Sequence, residues 1–186
     1  MKKNLLILLV IFNNYNLFAQ NDDITTSGDI VQLVLPVAAL TSTFIWQNKS
    51  EKTAVWYKKP AIKFLEAYGT GLIIQQSVKR IVQKPRPDGS DNLSFPSGHT
   101  TSAFSGAAFI ERRFGWKYGI PAYAMASFVG YSRIQAKRHD GWDVLGGAIV
   151  GIGTSYLFTK PYDTKPIDVS FSKNGNEFLI GVNYTF

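Results

Sequence analysis

Five apolar segments set the limits on how this chain can fold. Ile30–Trp46 carries no charge, and Ala61–Val82 is broken only by Lys63, Glu66, Lys79 and Arg80. Thr100–Ile110 is small and apolar, and Tyr118–Ser132 and Val144–Thr159 are uncharged. Apolar runs this long, rich in Ala and Gly, fit helices rather than strands. Pro85 and Pro87 end the second run, because proline lacks the N–H a helix needs and clashes with the preceding turn. A chain of 186 residues is one domain with room for a core. The expected architecture is therefore all-α: an up-and-down bundle of about five core helices within residues 20–166. Residues 167–186 change character. Val169 and Phe171 alternate with polar neighbours, Lys173-Asn174-Gly175-Asn176 is a turn signal, and Phe178, Ile180, Val182, Tyr184 and Phe186 alternate strictly. That pattern predicts a C-terminal β-hairpin, an edge element on the bundle; the alternation also fits an outer-membrane strand.

The start of the chain reads as a targeting segment. Lys2 and Lys3 precede an unbroken apolar run, Leu5–Phe12, too short to span a bilayer. With Leu17-Phe18-Ala19 ahead of Gln20, this predicts a signal peptide over residues 1–19, cleaved after Ala19; a membrane anchor is the alternative. Export would place the mature chain in the cell envelope. Twenty Lys and Arg against 13 Asp and Glu give a net charge of +7, which suits an anionic substrate or an anionic membrane. Nucleic-acid binding would need a clustered basic stripe with stacking aromatics, and the sequence has none. The lack of Cys excludes disulfides and thiolate metal sites.

Only two histidines occur, and both sit in patterns suited to holding a tetrahedral anion. His99 ends Pro96-Ser97-Gly98-His99. His139 lies in a second pattern: Ser132-Arg133, five residues, His139, three residues, Asp143. Upstream is a third: Lys79, six residues, Arg86-Pro87. Arg86 and Arg133 offer planar forks that stay charged, and Lys79 adds a compact cation. Ser97 can donate a hydroxyl, and Gly98 lets the backbone N–H approach an anion where a helix begins. His139 is the candidate nucleophile, with Asp143 expected to accept its Nδ1–H from the same helical face and free Nε2. His99 is the candidate proton donor to the leaving oxygen. Taken singly, each pattern is also compatible with a solvated helix face, a Ser cap or a surface ion pair. An alternating bundle nevertheless brings the end of helix 2, the start of helix 3, the end of helix 4 and the start of helix 5 to one face, where all three patterns meet. No residues are left for a dedicated metal site, and no cofactor is expected.

The three patterns, in this order and with these spacings, resemble the signature of the type 2 phosphatidic acid phosphatase superfamily. That superfamily also holds bacterial class A acid phosphatases and vanadium haloperoxidases. The resemblance covers residues 79–143. It implies a metal-independent phosphatase that forms a phosphohistidine on His139 and hydrolyses a phosphomonoester or pyrophosphate, with a lipid phosphate as the favoured substrate. A membrane location with the site facing the periplasm follows from export and the apolar segments. The mean hydropathy of −0.03 keeps a soluble exported acid phosphatase as the alternative. A haloperoxidase is disfavoured by the shortness of the chain, and a non-catalytic envelope role by the completeness of the motifs.

Overall fold

A computed structural model describes residues 23–46, 59–161, 167–174 and 177–184. The leader expected over residues 1–19 lies outside these residues. The described part contains five helices: α1 (Asp23–Ile45), α2 (Pro60–Val82), α3 (Gly98–Phe114), α4 (Trp116–Gln135) and α5 (Gly141–Phe158). Each expected apolar segment is a helix. Two strands follow, β1 (Ile167–Asn174) and β2 (Glu177–Tyr184), paired antiparallel with Ile167 opposite Tyr184 and Asn174 opposite Glu177. Gly175 and Asn176, expected to form the turn, are outside the described residues, as is the 162–166 connection to the bundle.

Local chemistry sets the helix ends. Pro60 opens α2, where a missing N–H costs nothing. Gln83 closes it in the left-handed region (φ 48°), its N–H returned to the Lys79 carbonyl. Gly115 (φ 78°) alone links α3 to α4; the positive φ is one glycine adopts without steric cost. The start of α1 was not legible: Asp23 to Asp29 look like polar loop, yet they are helical. Thr25, Gly28 and Gln32 are buried, packed over the end of α4, where the Arg133 guanidinium donates to the Thr25 carbonyl (2.8 Å).

α3 is the central helix and packs against the other four, while α4 and α5 scarcely touch. At the far end the Trp46 carbonyl accepts from Arg113 of α3. Successive helices therefore alternate in direction. The interior is built from small and polar side chains: Ala103, Ala107 and Ala108 of α3 are wholly buried, as are Thr100, Thr101 and Ser105. Phe64 and Phe109 cross edge-on at 4.8 Å in the core. Large apolar side chains point outward instead, among them Ile30, Val37, Ile73, Ile81, Ile149 and Leu157. By length and composition α1 is the one helix among the described residues able to cross a membrane.

Small residues let the backbones close. A Cβ on Gly147 would stand 2.5 Å from the Ser97 carbonyl oxygen and 3.0 Å from Thr100 Cβ. Gly147→Ala must therefore push α5 off the start of α3. We expect a loss of about 1–3 kcal/mol, read as a lowered midpoint in denaturant titration, with turnover falling too because the same contact seats Ser97.

Candidate active site

The site lies where α2 ends, α3 and α5 begin, and α4 ends. Between α2 and α3 runs the 83–97 loop. It is held by its own hydrogen bonds: Arg86 N–H to the Asp91 carbonyl (2.9 Å), Gly89 N–H to the Arg86 carbonyl (2.9 Å) and Ser94 N–H to the Lys84 carbonyl (3.0 Å). The Asp91 carboxylate accepts from Arg86 Nε (2.7 Å) and the Leu93 N–H (2.7 Å). The Arg86 fork is thus aimed before any ligand arrives. Asp88 pairs with Arg138 at 3.0 Å and ties the loop to the α4–α5 turn.

α5 begins with a capping box: the Asp140 carboxylate accepts from the Trp142 and Asp143 N–H groups, and the Asp143 carboxylate accepts from the Asp140 N–H (3.0 Å). Such a reciprocal pair satisfies N-terminal donors that would otherwise be orphaned. It also turns Asp143 back toward His139. The sequence argument had these two meeting on one helical face. Instead His139 precedes the helix, and the capping box brings the pair together, Nδ1 to Oδ2 at 3.6 Å. That distance is longer than a hydrogen bond. The Ser94 hydroxyl lies alongside both, donating to Asp143 Oδ2 and standing 3.5 Å from His139 Nδ1. Asp143 is wholly buried, and its other oxygen takes Lys84 Nζ at 2.8 Å; Lys84 also holds Asp140 at 2.6 Å.

On its other side His139 Nε2 stands 3.4 Å from Arg86 Nη1. A guanidinium only donates, so Nε2 is the accepting nitrogen and Nδ1 carries the hydrogen toward Ser94 and Asp143. Burial holds the imidazole well below its ordinary pKa, with the charges of Lys79 and Arg86 acting the same way and Asp143 opposing them. Lys79 is itself buried and donates to the Leu93 carbonyl (2.7 Å). Its charge is felt by both imidazoles, and the two imidazoles act on each other. All three patterns therefore converge on one end of the bundle.

Two expected phosphate ligands are placed differently from the simple picture. Ser97 is wholly buried as the N-cap of α3; its oxygen accepts from the Thr100 N–H (3.4 Å) and hydroxyl (2.9 Å), and its N–H reaches the Asp143 carbonyl (2.9 Å). It joins two of the motifs from beneath. Gly98 opens α3 directly above it. Arg133 turns toward α1: Nη1 meets Asp29 (2.7 Å), Nη2 the Thr25 carbonyl (2.8 Å) and Nε the Ser132 hydroxyl (3.1 Å). His99 Nε2 reaches the same Asp29 oxygen at 3.1 Å.

Asp29, Lys84 and Ser94 were missed by the sequence argument. Asp29 had a weak signal, a carboxylate at the head of an uncharged apolar run. Ser94 and Lys84 had no spacing to mark them. Asp140 is the cap that positions Asp143.

Three comparisons bear on this geometry. The crystal structure of Aquifex aeolicus LpxE superposes with a TM-score of 0.58 at 23% identity, covering 72% of this chain and 81% of that one, a likeness of fold. Among curated proteins, the lipid A 4'-phosphatase of Helicobacter pylori is 35% identical over 104 residues, 53% of this chain and 52% of the relative. The lipid A 1-phosphatase of Porphyromonas gingivalis is 47% identical over 70 residues, 36% of this chain and 16% of the relative. The undecaprenyl-diphosphatase BcrC of Bacillus subtilis is 32% identical over 101 residues, 47% of this chain and 50% of the relative. The chain thus spans about half or less of the length of these curated relatives. The PAP2 superfamily model matches residues 60–166, which is α2 through α5 with every motif residue named above, and the chain belongs to that superfamily.

Proposed function

We propose that this protein is a phosphatase that removes phosphate from a lipid phosphate monoester or pyrophosphate through a phosphohistidine on His139. The observation that carries the reading is the placement of His139 Nε2: a buried, neutral imidazole nitrogen 3.4 Å from Arg86, with its opposite nitrogen toward Ser94 and Asp143. A phosphate held by Arg86 and Lys79 would lie in front of that lone pair. Nε2 attacks phosphorus, the ester P–O bond breaks, and the departing oxygen takes a proton from His99. The alcohol or shortened phosphate leaves. Water then attacks the phosphorus, gives its proton to His99, and the N–P bond breaks to return free His139 and inorganic phosphate. Arg86 and Lys79 stabilise charge on the equatorial oxygens, with the Gly98 N–H at the mouth of α3, while Arg133, its fork taken up by Asp29, the Thr25 carbonyl and Ser132, adds positive charge from behind. Ser97 and Asp143 position the groups above them.

A lipid substrate is favoured over a small ester on two grounds. The relatives are named for lipid A and undecaprenyl substrates. The bundle also turns its large apolar side chains outward and keeps small ones inside, which is how helices pack against one another in lipid. Lys59, Arg112, Arg113, Lys117 and Lys160 collect at the end away from the site, so a membrane orientation with that end inside puts the site on the outer side.

The test is phosphate release from phosphatidate, phosphatidylglycerophosphate, undecaprenyl pyrophosphate and p-nitrophenyl phosphate, with and without detergent. Lipid phosphates in mixed micelles should be preferred; equal activity on the aryl ester without detergent would make this a soluble acid phosphatase. Three protein cations neutralise the ester, so turnover should be unchanged in excess EDTA, and vanadate should inhibit by taking up the five-coordinate geometry. Inhibition by EDTA that Mg²⁺ reverses would overturn the metal-free scheme.

A further inference from the structure

We infer that Asp29 of α1 is the positioning residue for His99, so that a carboxylate outside the family-matched region, residues 60–166, completes the acid side of the site. This rests on the phosphatase reading above. The motifs explain how His139 is oriented and leave His99 without a partner. The structure supplies one. A single oxygen of Asp29, buried and without a well-aligned hydrogen bond, stands in ion-pair contact 3.1 Å from His99 Nε2 and 2.7 Å from Arg133 Nη1. Arg133 is buried with its Nη2 on the Thr25 carbonyl, four residues before Asp29 on the same helix. α1 is therefore fastened at two points to the end of α4, and Asp29 is presented to His99 by a fixed guanidinium.

The chemistry needs such a group. Burial holds His99 below its ordinary pKa, Arg133 from α4 and Lys79 from α2 act the same way, His139 from the α4–α5 turn is a further imidazole that interacts with it, and Asp29 opposes them. A general acid must hold its proton until the leaving oxygen takes it. Asp29 is the one carboxylate in contact with the ring among the described residues. It fixes one ring nitrogen and leaves the other for the substrate, and its charge offsets the cations that bind phosphate. Seen this way the site carries two imidazole–carboxylate pairs: His139 with Asp143 for attack, His99 with Asp29 for departure.

The experiment compares the full-length wild type with Asp29→Asn and Asp29→Glu on two esters, an aryl phosphate whose leaving group needs no proton and an alkyl phosphate whose leaving group does. Asp29→Asn should lose roughly 10²-fold in kcat on the alkyl ester, the lower end of what a general acid contributes, and much less on the aryl ester. Its alkaline limb in kcat should move to lower pH, because His99 loses the charge that favours its protonated form against burial and the cations. Asp29→Glu should recover most of the alkyl activity. A variant that is merely destabilised would lose both activities together and leave the limb in place, and that result would overturn the assignment. An inactive wild type on either ester would overturn the phosphatase reading instead.

Discussion

His139→Ala should abolish phosphate release, with turnover falling by about 10³-fold or more, the scale seen when a covalent nucleophile is removed. The variant should still fold. Its imidazole contacts are long, 3.4 Å to Arg86 and 3.5 Å to Ser94, so few strong bonds are lost. Two further measurements separate a nucleophile from a bystander. Wild type quenched in base after brief exposure to labelled substrate should carry label on histidine, and the variant none. Stability should also respond differently to acid. Burial and the neighbouring cations keep the folded imidazole below its ordinary pKa, so the unfolded chain binds a proton that the folded chain refuses. The native state is then most stable above the unfolded pKa of about 6.5, and loses up to about 1.4 kcal/mol per pH unit as pH falls below it. His139→Ala should flatten that slope. Turnover at the wild-type rate would rule out the covalent role.

Legibility in the sequence followed how local each constraint was. The five helices could be read because long apolar runs, the second stopped by Pro85 and Pro87, leave few alternatives. Convergence of Lys79, Arg86, His99, Arg133, His139 and Asp143 could be read because alternating helix directions require it. The start of α1 could not. Asp23 to Asp29 are mostly polar, and the burial of Thr25 and Gly28 depends on a guanidinium more than a hundred residues away. The same holds for Lys84 and Ser94: nothing in an ordinary lysine or serine of a proline-rich loop says that both will close on Asp143. Spacing did find the His139–Asp143 pair, but the stated reason was incomplete. Four residues do not put them on one helical face here; the Asp140 cap stops the helix short of His139, and the box turns Asp143 back to meet it. A sequence motif of this kind records a capped turn rather than a helical stripe.

The second large effect is expected at Asp143. Its carboxylate is wholly buried and serves four groups: Lys84 (2.8 Å) on one oxygen, and the Ser94 hydroxyl, the Asp140 N–H (3.0 Å) and the His139 Nδ1 side (3.6 Å) on the other. Asp143→Asn keeps the shape and removes the charge. The amide has one acceptor, which the capping box requires, so its NH₂ must face the Lys84 ammonium, donor against donor. Lys84 keeps Asp140 and is partly exposed, which limits the damage to about 1–3 kcal/mol. Turnover should fall further, by roughly 10³–10⁴-fold, because no carboxylate charge then faces Nδ1 to orient His139 firmly and stabilise the charge it gains on attack. Adding Lys84→Met separates the two effects. The donor clash disappears, so the double variant should regain most of the lost stability, a coupling expected between residues in contact. It should regain no turnover, because the missing charge is still missing. If Asp143→Asn with Lys84→Met hydrolyses substrate at near the wild-type rate, Asp143 is a helix cap and nothing more, and His139 must find its tautomer from Ser94 and Arg86 alone.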